Sequence, residues 1–297
     1  MLRVVLFGMP GPLAGAALTA LLEAGVTLAA VAVPAPPGAP PVAPPPRSSA
    51  PARLIPLGPP PPPGLLDLAQ AHGVPTLALG SVRVPAVHEA LRALSPELVC
   101  VACWPWRIPP TLLAVPRLGF LNLHPAPLPE LRGPAPLFWA FQQGRASTAV
   151  TLHWMDAGLD TGPIALQAPL ELPVGLDWDT AEQQAADLGA ALLRELLARL
   201  AAGALPRRPQ GSGGSYRPAP GMADFAVDPG WPAERAFRFM RGTAAWGHAY
   251  RLPATLAAPP LSTVLAYEPT GSLGTPLVVQ GQTVRVQMTP GILVARC

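Results

Sequence analysis

Two almost uninterrupted apolar runs of strand length, LRVVLFG at residues 2–8 and VTLAAVAV at residues 26–33, bracket one helix-length stretch of the 297-residue chain. No other feature narrows the fold as far. A strand that is apolar on both faces must be covered on both faces, which is the situation of a strand inside a parallel sheet. The Gly/Pro turn between the runs leads into a helix predicted from about Leu13 to Ala24 and stopped by Gly25. Strand, turn, helix and strand in this order open a doubly wound, mostly parallel α/β sheet. The turn glycines fall at 8, 11 and 15, off the GxGxxG spacing, and no acidic residue closes the second strand, so a dinucleotide site is disfavoured.

Between Pro34 and Pro63, 15 of 30 residues are Pro. Neither a helix nor a central strand can form there, and an exposed, polyproline-leaning loop is expected. Regular structure is predicted to resume with helices over 65–72 and 86–94, strands around 75–77 and 98–103, and then a strand over 119–124. The 134–144 stretch reads as a helix and AVTLHWM and PIALQAPLEL as strands. A long helix over about 180–202 follows, capped by Asp179 with Glu182 three residues on and stopped by Gly203. PRRPQGSGGSYRPAPG has a linker's composition. Beyond it one helix and three or four short β-like runs fit a small antiparallel β domain. The domain reading is therefore 1–205 (with 34–63 as a Pro-rich loop), a 206–221 linker, and a small, shortened C-terminal β domain at 222–297.

Half the residues are apolar and 12% are charged, which suits a packed globular chain. No apolar run reaches the roughly 18 residues of a membrane span, and the N-terminus lacks a signal-peptide pattern; a cytoplasmic, monomeric protein is expected. All 20 basic residues are Arg, and the net charge is +3. From Trp231 onward six Arg (235, 238, 241, 251, 285, 296) face two Glu, a local +4 that suits either an anionic partner or a solvated Arg-rich surface. Cys100 and Cys103 form a CxxC, but in an apolar strand i and i+3 lie on opposite faces, so two ordinary buried cysteines are expected rather than a metal site.

The chemistry gathers in residues 119–162, GFLNLHPAPLPELRGPAPLFWAFQQGRASTAVTLHWMDAGLDTG. On a strand, Asn122 and His124 share a face, and a carboxamide beside an imidazole makes a donor pair for a carbonyl oxygen gaining negative charge. Asp160 lies in the Gly-rich turn AGLDTG, where it can approach and orient that imidazole. No GxSxG elbow is present to support a nucleophilic serine. Spacing by itself leaves two readings open: acyl-transfer catalysis, or an Asn and a His that satisfy buried backbone groups.

These residues resemble the signature of formyltransferases that use 10-formyltetrahydrofolate, and within that family the methionyl-tRNA formyltransferases. The NxHxxxLP core, the RGPAPLFWA run and the MDAGLDTG loop carry the resemblance, and it extends to MLRVVLFGMPGP, to residues 72–102 and to the SYRPAPGMADF junction. It implies a Rossmann-like formyltransferase sheet, a β-barrel-like (OB-type) C-terminal domain, and an enzyme moving a formyl group from 10-formyltetrahydrofolate, a co-substrate, to an amine without a metal. The implied amine is that of initiator methionyl-tRNA, hence a role in protein biosynthesis. The alternatives are a small amine such as an amino sugar nucleotide, water in a formyl-folate hydrolase, or a non-catalytic ligand-binding homologue. By resemblance Asn122, His124 and Asp160 are the catalytic residues. Ala126, Pro127, Leu128, Pro129, Trp106, Ile108, Asp156 and Gly158 would line the folate. The chain departs from the family with APLP at 126–129 in place of SLLP, with Cys103-Trp104-Pro105-Trp106 in place of a smaller turn, and with only Arg47 and Arg53 in the Pro-rich insertion.

Overall fold

A computed structural model describes residues 1–45 and 64–297. Among them the chain order is β1 (Arg3–Gly8), α1 (Pro12–Glu23), β2 (Thr27–Pro34), β3 (Val42–Ala43), α2 (Leu65–Ala71), β4 (Thr76–Leu79), α3 (Pro85–Leu94), β5 (Leu98–Ala102), α4 (Pro110–Leu113) and β6 (Phe120–His124). Then come α5 (Pro136–Gln142), β7 (Ser147–Trp154), β8 (Ile164–Glu171), α6 (Trp178–Ala201), α7 (Ala233–Thr243), β9 (Thr263–Glu268), β10 (Leu277–Gln280), β11 (Thr283–Gln287) and β12 (Ile292–Arg296). Four helices, α1, α3, α4 and α5, have Pro in their first turn. Pro fits there because the first helical N–H has no intrahelical partner to lose.

The chain divides into two compact units. One comprises Met1–Pro129, Val150–Ala168 and Ala185–Gly214; the other comprises Glu130–Ala149, Pro169–Gln184 and Ser215–Cys297. The large sheet has the order β3-β4-β2-β1-β5-β6-β7-β8. Strands β4, β2, β1, β5 and β6 run parallel, and β3 and β7 pair antiparallel at either side. The sheet is thus doubly wound and mostly parallel, with the order reversing at β1, and ligands of such sheets bind outside the carboxyl ends of the strands. Among the described residues the Pro-rich stretch supplies Pro34 at the end of β2 and the two-residue β3 on the sheet edge, where a missing ladder donor costs least. The remainder of that predicted loop, residues 46–63, lies outside the described residues.

The first unit's core holds Val5, Phe7, Val99, Val101, Leu112 and Phe120, and burying each such side chain contributes roughly 1.5–3 kcal/mol. Gly189, inside α6, lies where a Cβ would stand 2.5 Å from the Leu123 side chain. The helix therefore sits directly on β6, the strand that carries Asn122 and His124. Cys100 is buried, and burial pushes its thiol up to about 12. Cys103 corrects the expectation of two buried cysteines: it lies past the end of β5 with φ 58 and is exposed.

In the second unit Phe138, fully buried, meets Phe225, Phe239 and Trp246 at centroid distances of 5.2, 5.8 and 5.1 Å. Tyr250, whose phenol burial raises to about 12, donates to the Met240 carbonyl at 3.0 Å. Helix α7 packs against β9 and β12 of a four-stranded antiparallel sheet ordered β10-β11-β12-β9, which fits a small barrel-like domain. Part of the C-terminal Arg excess is structural. Arg235 stacks 3.9 Å from the Trp231 ring centre, Arg238 pairs with Glu234 at 2.8 Å, and Arg285 pairs with Glu268 at 2.6 Å.

The cap of α6 is Asp177 rather than the expected Asp179, since the helix begins at Trp178 and Asp177 Oδ1 accepts the Thr180 N–H at 2.9 Å. That bond, ahead of the charge of Arg241, holds the Asp177 carboxyl below its ordinary value. A depressed carboxyl contributes stability above the unfolded value of about 3.9 and loses it as pH falls through the lower folded one. Asp177→Ala is therefore expected to cost about 1 kcal/mol at neutral pH. Urea titrations at pH 7 and pH 3 check this, with the difference from wild type shrinking at pH 3.

Candidate active site

Strand β6 ends at His124, and its ladder with β5 sets Val101 opposite Asn122. On its other side β6 pairs antiparallel with β7, so that Asn122 faces His153 and His124 faces Thr151. Directly opposed residues of an antiparallel pair project from the same face. The pairing thus brings His153, absent from the sequence-based site, beside Asn122: the Asn122 Nδ2 to His153 Nε2 distance is 3.2 Å. His153 Nδ1 lies 3.2 Å from the Trp154 carbonyl oxygen. A carbonyl only accepts, so Nδ1 is the donor of that contact, and in the tautomer protonated there alone Nε2 accepts an Asn122 N–H. His153 thereby sets which end of the carboxamide faces it.

Asp160 completes the cluster. Its Oδ1 lies 3.5 Å from both Asn122 Nδ2 and His153 Nε2, and its Oδ2 lies 4.0 Å from His124 Nδ1. The side chains are 6% exposed for His124, 1% for His153 and 17% for Asp160, so these interactions are only partly screened by water. The Asp160 backbone is left-handed, φ 54, within a tightly built turn. Asp156 Oδ1 accepts from the Gly158 N–H at 2.9 Å and from the Thr161 hydroxyl at 2.7 Å. A Cβ on Gly158 would stand 1.9 Å from Thr161 Oγ1. Asp156 Oδ1 therefore shapes the loop, and the loop requires Gly158.

The other sequence-predicted residues divide by position. Ala126 and Leu128 are buried, Pro127 and Pro129 half-buried, in the loop that follows His124. That loop is pinned from β7 and β8: Thr151 Oγ1 donates to the Ala126 carbonyl at 2.6 Å, and Gln167 Nε2 donates to the Leu128 carbonyl at 3.0 Å. Trp106 is 37% exposed and packs edge-on to Trp104 at 5.5 Å. The Trp104 indole N–H is buried without a hydrogen-bond partner among the described residues. Ile108 is 2% exposed, its side chain packed in the core with Phe7 and Phe120. Arg107 Nη2 donates to the Ala157 carbonyl, tying the Trp-rich turn to the Asp160 loop.

The arrangement can present a carboxamide and an imidazole to one oxygen, with a carboxylate at hand to orient the imidazole. His153→Ala would leave the carboxamide without its aligning acceptor. A fall in turnover of about tenfold is expected, smaller than for loss of a directly reacting group; steady-state rates with folding followed by circular dichroism check it.

Residues 67–197 match the family model described as "Formyl transferase". The chain is 37% identical over 206 residues to a methionyl-tRNA formyltransferase of Pelobacter propionicus, a stretch covering 66% of this chain and 65% of that protein, just under two thirds of its length. It is 34% identical over 283 residues to the methionyl-tRNA formyltransferase of Chloroflexus aggregans, covering 95% of this chain and 86% of that one. In fold it is similar to an N-formyltransferase from Helicobacter canadensis solved with folinic acid and dTDP-3-aminofucose, with a TM-score of 0.68 at 12% identity, covering 100% of this chain and 99% of that one. By these matches the chain belongs to the formyltransferase family, alongside relatives that are methionyl-tRNA formyltransferases.

Proposed function

We propose that this protein transfers the formyl group of 10-formyltetrahydrofolate to the amino group of methionyl-tRNA. The observation that carries the reading is the convergence of Asn122, His124 and Asp160 at the carboxyl end of β6, in a chain whose relatives are methionyl-tRNA formyltransferases. The donor supplies an activated one-carbon acyl group. Asn122 and His124 hold the formyl oxygen as charge builds on it, while Asp160 orients His124 and assists removal of the proton from the attacking amine. The half-exposed Trp106 ring suits stacking against a flat heterocycle. Exposed Arg251 and Arg296 of the C-terminal unit remain for an anionic acceptor. We assign the catalytic domain to residues 1–205 and the small β domain to 222–297.

The test is an acceptor panel. The protein is incubated with 10-formyltetrahydrofolate and methionyl-tRNA, an amino sugar nucleotide, or no acceptor, and tetrahydrofolate release is followed. Turnover confined to methionyl-tRNA is expected. Turnover with the sugar nucleotide alone reassigns the acceptor, release without acceptor indicates a hydrolase, and silence in every arm with no folate binding overturns the enzymatic reading.

A further inference from the structure

Residues 206–214 have the composition of a linker, yet they are bonded at several points to the strands and loop that build the site. Trp154 donates its indole N–H to the Pro206 carbonyl at 2.7 Å, and Arg207 lies 4.4 Å over the same ring while donating to the Leu118 carbonyl at 2.9 Å. Arg208 exchanges both backbone hydrogen bonds with Ile164, at 2.7 and 2.9 Å. Gly214 sits so close to Pro129 that a Cβ there would stand 2.3 Å from the Pro129 carbonyl oxygen. Between these anchors Gln210 Nε2 donates to the carbonyls of Asp160 and Gly162, each at 2.8 Å.

We infer that Gln210 is a positioning residue for Asp160, holding the backbone turn that aims the carboxylate at Asn122 and His124. The inference rests on the reading of Asp160 as the reaction's carboxylate. A single amide nitrogen carries two hydrogens at a fixed angle, so it satisfies both carbonyls only while the loop keeps one bend. That bend needs holding, because Asp160 sits at φ 54. The left-handed region is unfavourable for a non-glycine residue, so the surroundings must over-determine it. The anchors at Pro206, Arg207 and Arg208 in turn restrain the backbone from which Gln210 reaches, with β7, β8 and the segment before β6 as the frame. Only a donor side chain of this length does the work: Glu has the shape but, ionised, cannot donate to a carbonyl, and Met has the length without a polar hydrogen.

The experiment measures kcat and KM with 10-formyltetrahydrofolate and methionyl-tRNA for Gln210→Glu, Gln210→Met and Asp160→Asn, and for Gln210→Met combined with Asp160→Asn. A crystal structure of Gln210→Met accompanies the kinetics. Both single Gln210 variants are expected to lose about tenfold in kcat with KM changed less than about twofold, as displacement of a reacting group does. In the Asp160→Asn background the Gln210 substitution adds nothing further, since the two act through one group. Wild-type kcat in both Gln210 variants beside a hundredfold loss in Asp160→Asn overturns the positioning role and leaves that of Asp160 standing. Normal turnover of Asp160→Asn overturns the reading underneath it. A Gln210→Met loss undiminished in the double variant also overturns the inference, placing the effect elsewhere. If wild type is silent with methionyl-tRNA, the crystal structure decides: Asp160 still at its left-handed φ in Gln210→Met overturns the inference.

Discussion

Replacing His124 by Ala, or Asp160 by Asn, is expected to lower formyl transfer at least roughly a hundredfold, the usual cost of removing a positioned acid/base or an oxyanion donor. The two substitutions act differently. His124→Ala removes one of two donors facing the formyl oxygen, whereas Asp160→Asn keeps shape and hydrogen-bonding size while removing the charge that lies 4.0 Å from His124 Nδ1 and 3.5 Å from His153 Nε2. Asp160→Asn is therefore expected to act on kcat far more than on donor affinity. Single-turnover rates with saturating donor, together with equilibrium binding of 5-formyltetrahydrofolate as an unreactive mimic, separate chemistry from binding. Near-normal rates in both variants would refute the assigned roles.

A substitution that touches no reacting group should match that effect. In Gly162→Ala the new methyl would stand 1.8 Å from the Trp154 carbonyl oxygen, 2.9 Å from its carbon and 3.3 Å from the Asp156 nitrogen. All three are backbone atoms, so a rotamer change cannot relieve the overlap and the loop has to move. The Trp154 carbonyl is also the partner of His153 Nδ1, and the Gly162 carbonyl is a partner of Gln210. Movement there shifts Asp160 and loosens the acceptor that aligns Asn122. Since about 1 Å of misplacement can cost a hundredfold, turnover is expected to fall at least roughly that far while the circular dichroism spectrum is kept. Gly211→Ala is the control: a Cβ at Gly211 meets nothing within 4 Å, and its rate should stay near wild type.

Where local pattern decides structure, residue types were sufficient. Runs apolar on both faces identify β1 and β2, and Gly and Pro punctuate the helices to within one or two residues because φ restrictions act on the residue itself. Strand alternation put Asn122 and His124 on one face for the same reason. The misplaced cap of α6 shows the limit of that logic: Asp177 and Asp179 are both good caps, and the one that works depends on where the chain arrives from the preceding turn. Cys103 escapes the strand's alternation because β5 ends one residue before it.

Periodicity and side-chain chemistry are local properties, and they suffice for the sheet's parallel core and for the presence of a carboxamide, an imidazole and a carboxylate within one stretch. How the site is held is a matter of long-range packing. His153 lies 31 residues from Asn122 and Gln210 lies 50 from Asp160. Both were legible only as a His in an apolar strand and a Gln in a linker-like run. Antiparallel register set the first contact and the bonded path of residues 206–214 set the second. Register and path follow from the packing of the whole domain, which no short window of sequence contains.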